Sequence, residues 1–456
     1  MERAMTDMQN TKPNPNPKPK KSGRAARLSA ARAVTDVLRA RLPLDQALYE
    51  QKQYAEMDSR DKAFARLIAS TTLRRTGQIN HALSKYIKRD PAPLARAVLQ
   101  TAAAQLMYLG VPDHAVVAET VAVLKRSRDR KVSNAAPMAN AVLRRISENK
   151  EQLANEAPLN SNFPDWLRER WERNYGFDAV EAMARVYSEI PPLDLTVKSD
   201  PEGWAKKLGG IALPTGTVRL TGVSDVTSLE GFDAGEWWVQ DIASALPVRQ
   251  LGDLSGKKVL DLCCAPGGKT MQLAHAGADV TAIDKSKARL ARTQDNLDRT
   301  KLDAKLIKAD VIKFRGAQDH TYDIVLLDAP CTATGTFRRH PEAAQIKRRG
   351  QMRELEGLQA DMLDAAARQT KPGGLILYCT CSLQWEEGEA QIDAFLKRSP
   401  EFGLNSFLNE ETRDFHPDMQ RKGSKEGYLR SLPHDLEESG GMDGFFTACL
   451  TRNVHT

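Results

Sequence analysis

The sequence predicts a multi-domain protein: an all-α bundle in front, a small α+β module, and a C-terminal α/β domain of Rossmann-like type with a mostly parallel sheet. Three observations predict this. Residues 25–150 carry apolar residues at helical spacing and show no strand pattern. From about residue 246, short apolar strands, most of them ending in an acid, alternate with helical stretches, as in a parallel, doubly wound sheet. The stretch 151–245 mixes both textures, with Pro191-Pro192 dividing the helical part from the β-like part. A chain of 456 residues is long enough for two or three such units.

Residues 1–24 alternate Pro with Asn and Lys and then turn basic, with five basic residues and no acid between Lys12 and Arg24. A disordered, partly polyproline-like tail is expected, serving RNA contact or solubility. Residues 25–150 follow as helices in "RLSAARAVTDVLRARL", "DKAFARLIASTTLRR", "PLARAVLQTAAAQLMYLG" and "PMANAVLRRI", punctuated by Asp90-Pro91 and Gly110-Val111-Pro112. From Lys125 to Arg145 seven basic residues face a single acid, Asp129. A solvated face has that composition too, but a basic strip along nucleic acid is the preferred reading, with Lys125, Arg126 and Arg128 as candidates. Residues 151–245 read as a linker or RNA-binding module with helices in "PDWLRERWERNYG" and "AVEAMARVY" and β-like pieces in "LDLTVK", "TVRLTG" and "EWWVQD". In 246–456 the strands are "KVLDL", "DVTAID", "AKLIKAD", "YDIVLLD", "GLILYC" and a late "GFFTACLT".

Hydrophobic residues make up 41% and charged residues 27%, ordinary for soluble globular protein. No apolar run approaches the ~18 residues of a membrane span, and the first residues lack an apolar signal region, so a cytoplasmic location is expected. The net charge of +7 leans towards a polyanionic partner. All six cysteines lie in the second half, five of them in three short loop-edge segments, which is unlike a disulfide scaffold.

Those segments carry the chemistry. In "VLDLCCAPGGKT" a strand runs into a glycine turn and then a helix, so Gly267 and Gly268 let backbone approach a ligand and the helix offers free N–H groups. "GGKT" is not a phosphate-binding P-loop, because Cys263 stands where the glycine six residues before Lys269 should be. Asp284 ends the second strand, placed to accept ribose hydroxyls, and Asp310 ends the third, where a carboxylate reaches an adenine amino group. Either acid alone would be read as a helix cap. Together, behind a glycine turn, they point to an adenosine-bearing ligand, for which S-adenosylmethionine and a dinucleotide both qualify.

The thiols decide between them. In "LLDAPCTATGTFRRHPE" the fourth strand ends at Asp328-Ala329-Pro330-Cys331, with a thiol where amino-group methyltransferases carry an aromatic ring. The fifth strand ends at Cys381, and neighbouring fourth and fifth strands bring Cys331 and Cys381 to one pocket. Thiolate addition to carbon 6 of cytosine makes carbon 5 nucleophilic enough to take a sulfonium methyl. Asp328 could hydrogen-bond N3 of the ring and favour that addition. Such a base must be unstacked, which favours flexible or single-stranded RNA. A zinc site from Cys263, Cys264, Cys379 and Cys381 is disfavoured, since CC and CxC are poor chelating spacings. The basic residues after the Pro-Cys loop, Arg338, Arg339 and His340 foremost, are candidates for phosphate contact.

"DLCCAPGGKT", "DAPCTATGTFRRHPE", "YCTCSLQWEEGE" and "GMDGFFTACLTR" resemble the Sun/RsmB-type ribosomal RNA cytosine-5 methyltransferases, and "WVQDIASALP" resembles a segment preceding their catalytic domain. The helical region, with "HAVVAETVAVLKRS" and "MANAVLRRI", is similar to the NusB-like RNA-binding domain. The resemblance implies that Cys381 is the nucleophile and that Cys331 assists release of methylated RNA. It places Cys263, Cys264, Ala265, Pro266, Gly267, Gly268, Lys269, Asp284, Asp310 and Asp328 on donor-binding positions. The implied cofactor is S-adenosyl-L-methionine and the implied substrate one cytosine of small-subunit (16S) ribosomal RNA. Three residues depart from the family pattern: Cys264 for a commoner Ala, Glu342 for Asp after His-Pro, and Cys379 as an extra thiol and a potential oxidation partner of Cys381. A monomer without metal or membrane attachment is expected. The rivals are a non-catalytic RNA-binding or ribosome-assembly factor, an amino-group methyltransferase, and a cytosine-5 methyltransferase acting on another RNA such as tRNA.

Overall fold

The computed structural model describes residues 23–223, 225–316, 320–405 and 427–454. The tail predicted for 1–24 lies outside them, apart from Gly23 and Arg24, which open the first helix.

The first domain is helical throughout. Helices Arg24–Ala40, Ser59–Arg74, Pro93–Tyr108, Asp113–Lys125 and Ala136–Glu148 pack around one core. Alanines dominate that core, among them Ala30, Ala33, Ala69, Ala103 and Ala139, and their small side chains let the helices lie close. Pro93–Tyr108 is the central helix. It is apolar on nearly every face and buries eleven residues from Ala95 to Leu106, as a helix surrounded by others must. Its start suits its sequence, with Pro93 at the first turn, where its missing N–H has no partner to lose. Helix Ser59–Arg74 is capped by the Asp58 carboxylate, which accepts from the Asp61 N–H.

The middle stretch divides in two. Helices Asp165–Tyr175 and Phe177–Ser188, separated by Gly176 at φ 87°, turn aromatic residues inward. Phe163, Trp171 and Tyr187 meet Phe337 of the C-terminal domain, with the Trp171 and Phe337 rings 6.0 Å apart. Strands β1 (Leu193–Val197), β2 (Ile211–Ala212), β3 (Thr217–Leu220) and β4 (Trp237–Val239) then form an antiparallel sheet in the order β2-β3-β1-β4. Arg219 and Asp194 form a buried bidentate pair across β3 and β1, at 2.7 Å on both arms.

The C-terminal domain is built on β5 (Lys258–Leu262), β6 (Asp279–Asp284), β7 (Lys305–Lys308), β8 (Tyr322–Asp328), β9 (Thr370–Thr380), β10 (Phe402–Leu404), β11 (Tyr428–Ser431) and β12 (Phe445–Arg452). The order is β10-β12-β9-β8-β5-β6-β7, with β11 on β12. From β9 to β7 all pairings are parallel, whereas β10, β11 and β9 each pair antiparallel with β12. The order reverses between β5 and β8, so the ends of these strands flank the crevice where an open α/β sheet binds its ligand. Every strand predicted from 246 onwards is present. The edge pieces β10 and β11 are three and four residues long, too short for a period to show.

Candidate active site

The carboxyl ends of β5, β6, β8 and β9 and the segment after β7 surround a cleft of about 270 Å³. Cys263, Asp284, Asp310, Asp328, Cys331 and Cys381 all line it. A hollow of about 740 Å³ in the helical domain is lined by Arg126 and Arg128 but by no cysteine.

The turn after β5 puts Cys263 in the left-handed region, at φ 63°, a conformation that strains a residue with a side chain. Gly267 follows at φ 102°, and a Cβ there would stand 2.8 Å from the Thr293 side chain. The glycine is therefore required by helix packing and backbone sign, while Gly268 has room beside Gln240. Cys263 and Ala265 face the cleft; Cys264 packs into the core behind the sheet. Burial pushes the Cys263 thiol up to about 12 and the Cys264 thiol up further.

Asp284 is almost wholly buried. Its Oδ1 accepts from the Ser286 N–H at 2.8 Å. Its Oδ2 lies 3.0 Å from Arg289 Nη1 but has no aligned hydrogen-bond donor among the described residues. A buried carboxylate oxygen lacking a donor at a cleft wall suits a ligand hydroxyl. Asp310 is exposed beyond β7, and its Oδ1 caps the Ile312 N–H at 2.9 Å, which leaves Oδ2 for a ligand. An adenosine-bearing methyl donor fits these residues.

Lys269 does not line the cleft itself but meets its wall at Asp328. Its ammonium is buried, donates to Asp328 Oδ2 and Ser244 Oγ at 2.8 Å each, and lies 4.8 Å from the centre of the Phe445 ring. Burial opposes its charge, but Asp328 and the nearby thiols outweigh that and raise its pKa. Its place in the fold is to hold the Asp328 carboxylate.

Cys331 and Cys381 stand with their sulfurs 3.5 Å apart. Cys331 is pushed well up, first by its hydrogen bond with Cys381 and then by burial. The thiol in contact with Cys381 is thus that of Cys331. Cys379, two residues earlier, is wholly buried in the core, and its pKa is pushed up by burial. Among the described residues no group of three or more His, Cys, Asp or Glu side chains is set as a metal site.

The basic residues separate into two kinds. Arg338, expected on RNA, is 2% exposed and lies between Asp241 and Asp443 at 3.3 Å from each. A buried guanidinium between two carboxylates is a structural tie, so this expectation is corrected. Arg339 pairs with the same Asp443 but keeps part of its side chain in solvent, close enough for its charge to act on Cys381. His340, Lys125, Arg126 and Arg128 are exposed. Residues that sequence reasoning did not single out also belong to the site. Glu387 is fully buried and receives hydrogen bonds from both cysteine loops, and Arg170 donates to Gln384 and Glu386. Glu386 and Glu387, so close behind Cys381, were the available signal.

A mostly parallel sheet of this order, with an acid-lined cleft and two facing thiols at its strand ends, defines an S-adenosylmethionine-dependent methyltransferase. A family model described as 16S rRNA methyltransferase RsmB/F matches residues 250–451, and one described as the NusB family matches residues 24–148. A protein named ribosomal RNA small subunit methyltransferase B from Salmonella arizonae is 32% identical, covering 93% of this chain and 97% of its own. Its namesake from Cronobacter sakazakii is also 32% identical, covering 87% and 92%. The solved structure of PH0851 superposes with a TM-score of 0.69 at 26% identity, over 93% of this chain and 98% of that one. NSun6 from Pyrococcus horikoshii, solved with SFG, shares the fold at a TM-score of 0.52 and 20% identity, over 64% and 99%. The chain belongs to the RsmB/F family of 16S rRNA methyltransferases and carries a NusB-family domain in front. Among the described residues no helix is long and apolar enough to cross a membrane.

Proposed function

We propose that this protein methylates carbon 5 of one cytosine in small-subunit ribosomal RNA through a covalent bond between Cys381 and the base. The observation that carries the reading is the pair of sulfurs 3.5 Å apart at the wall of the donor cleft. RNA binding alone requires neither thiol, and an amino-group methyltransferase has no use for a nucleophile. The names of the relatives supply the RNA class; the tRNA alternative has no observation in its favour.

In this reading Asp284 receives ribose hydroxyls on Oδ2, beside Arg289, Asp310 receives an adenine amino group, and Cys263 and Ala265 form the wall against the donor. S-adenosylmethionine, when bound, supplies the electrophilic methyl that carbon 5 takes up. Cys381, as thiolate, forms a bond to carbon 6 while N3 takes up a proton from solvent and, as N–H, donates to the Asp328 carboxylate; the π electrons of carbon 5–carbon 6 shift to carbon 4–carbon 5 as a nucleophilic enamine. Lys269 holds Asp328 at that station. After methylation a base takes the remaining carbon-5 proton, the double bond re-forms, and the carbon 6–sulfur bond breaks to return Cys381 as thiolate.

In the same reading Cys331 serves in that release. The foremost cause holding its proton is the hydrogen bond with Cys381, and this partner is consumed when Cys381 bonds carbon 6. Cys331 is therefore freer to exchange a proton in the adduct than in the resting enzyme. Lys125, Arg126, Arg128, Arg339 and His340 are read as phosphate contacts. Bisulfite sequencing of ribosomal RNA from cells with the protein, without it, and with Cys381→Ala tests the reading. One protected cytosine should appear only with the unaltered protein; protection surviving Cys381→Ala would remove Cys381 as nucleophile.

A further inference from the structure

The geometry points to Glu387 as the positioning residue of the two-thiol centre, its carboxylate tying the Cys331 loop to the Cys381 loop and so fixing the two sulfurs within contact. This rests on the covalent mechanism proposed above and adds to it a part for a residue that touches neither substrate nor donor.

Glu387 is wholly buried, on a short 3-10 turn that follows Cys381. Its Oε1 accepts from the Thr332 N–H at 2.9 Å and from Gln359 Nε2 at 3.2 Å. Its Oε2 accepts from the hydroxyls of Thr332 and Ser382. Thr332 is the neighbour of Cys331 and Ser382 the neighbour of Cys381, so one carboxylate spans both loops one residue away from each sulfur. The bracket is completed around it. Gln359 donates to the Pro330 carbonyl at 2.9 Å, the Thr334 hydroxyl accepts from the Leu383 N–H at 2.9 Å, and the Gly335 N–H donates to the Cys381 carbonyl at 3.0 Å. The Tyr378 hydroxyl in turn donates to the Glu387 carbonyl at 2.8 Å, fixing the turn to β9.

All four side-chain bonds run into the carboxylate, so both oxygens must accept. That is a demand a glutamine meets on one atom only. The loops need such a tie because Cys331 and Cys381 are fifty residues apart in sequence and stand beyond the ends of β8 and β9, where the ladder no longer holds them. Ala333, just after Thr332, sits at φ 55°, so the Cys331 loop is also held in a conformation it would not favour alone.

Attack on carbon 6 requires Cys381 alone, whereas release requires Cys331 beside it. Loosening the bracket should therefore leave attack largely intact and slow release. Glu387→Gln, Cys331→Ala and the unaltered protein are each incubated with S-adenosylmethionine and small-subunit ribosomal RNA, then resolved on a denaturing gel. Single-turnover rates of adduct formation and adduct decay are measured alongside. Glu387→Gln is expected to form adduct within a few-fold of the unaltered rate, to release it at least about tenfold more slowly, and to accumulate a covalent band as Cys331→Ala does. Equal slowing of formation and decay, as general loosening of the fold gives, would overturn the inference, as would release at the unaltered rate. Should Glu387→Gln not fold, Thr332→Val removes one of the four bonds at nearly constant shape and carries the same expectation. Failure of the underlying mechanism shows separately, as an adduct or methylated product from Cys381→Ala.

Discussion

Replacing Asp261 by Asn removes a carboxyl from within β5, directly beneath the cleft. Asp261 is wholly buried; its Oδ2 accepts from the Thr270 hydroxyl, at 2.6 Å, and its Oδ1 has no hydrogen-bond partner among the described residues. Burial pushes its pKa from 3.8 up to about 7, against the lowering effect of Thr270. A carboxyl whose folded pKa lies above its unfolded one binds its proton more tightly in the fold. It therefore takes nothing from stability below about pH 4, where both states are protonated. Its cost grows as pH rises through the window between 4 and 7 and is constant above that. A rise of about 3 units at 1.36 kcal/mol each makes the full cost about 4 kcal/mol, an upper figure because the denatured chain is not fully solvated. Asn keeps the acceptor for Thr270 and carries no charge to bury. Urea unfolding of the unaltered and Asp261→Asn proteins, followed by a probe of the C-terminal domain from pH 4.5 to 8.5, reads the effect. The variant should gain stability relative to the unaltered protein as pH rises, most steeply near 5 to 6, and the gap should level off above about 7. A gap independent of pH, or one that narrows towards pH 8, would show that Asp261 is not held as a neutral acid.

Other substitutions discriminate among the remaining parts. Asp284→Ala should weaken S-adenosylmethionine binding by calorimetry ten- to a hundredfold, about 1.5–3 kcal/mol for a hydrogen bond to a charged group, without lowering thermal stability much. Cys379→Ala should cost about 1–2 kcal/mol of stability through the small cavity it leaves, yet methylate at near the unaltered rate, because Cys379 is core and not a partner of Cys381. Arg338→Met should destabilise by about 3–5 kcal/mol, since Asp241 would be left buried without its cation and Asp443 would keep only Arg339. The double variant Arg126→Ala with Arg128→Ala should instead leave unfolding unchanged while lowering RNA affinity and the slope of its salt dependence by about 2.

Much of this was legible in the chain because the relevant signals are local. The strand-and-acid pattern after residue 246 placed Cys263, Asp284, Asp310, Asp328, Cys331 and Cys381 at strand ends, and a parallel sheet then has to gather them on one edge. Burial, by contrast, is not written in a motif. Arg338 and Arg339 are adjacent and alike in sequence, yet one is enclosed between two carboxylates and the other reaches solvent, because Asp241 and Asp443 arrive from segments about a hundred residues away on either side. Lys269 lies in the glycine turn among the donor-binding candidates, and its buried ammonium is held by Ser244 and by Asp328 at the cleft wall, a pairing that no local motif announces. Cys379 and Cys381 differ in the same way. Strand alternation would set both thiols on one face, but β9 ends at Thr380, so Cys381 follows the loop towards Cys331 while Cys379 stays in the core.

The central claim is that Cys381 bonds to the target base. A small-subunit ribosomal RNA fragment carrying 5-fluorocytidine in place of cytidine gives the most direct measurement, since fluorine at carbon 5 leaves no proton to remove and blocks release. After incubation with S-adenosylmethionine, a protein–RNA adduct stable to denaturation should form. Proteolysis and mass spectrometry should then place the nucleotide on Cys381. A nucleotide found on Cys331, or fluorinated RNA methylated and released without any adduct, would contradict the account.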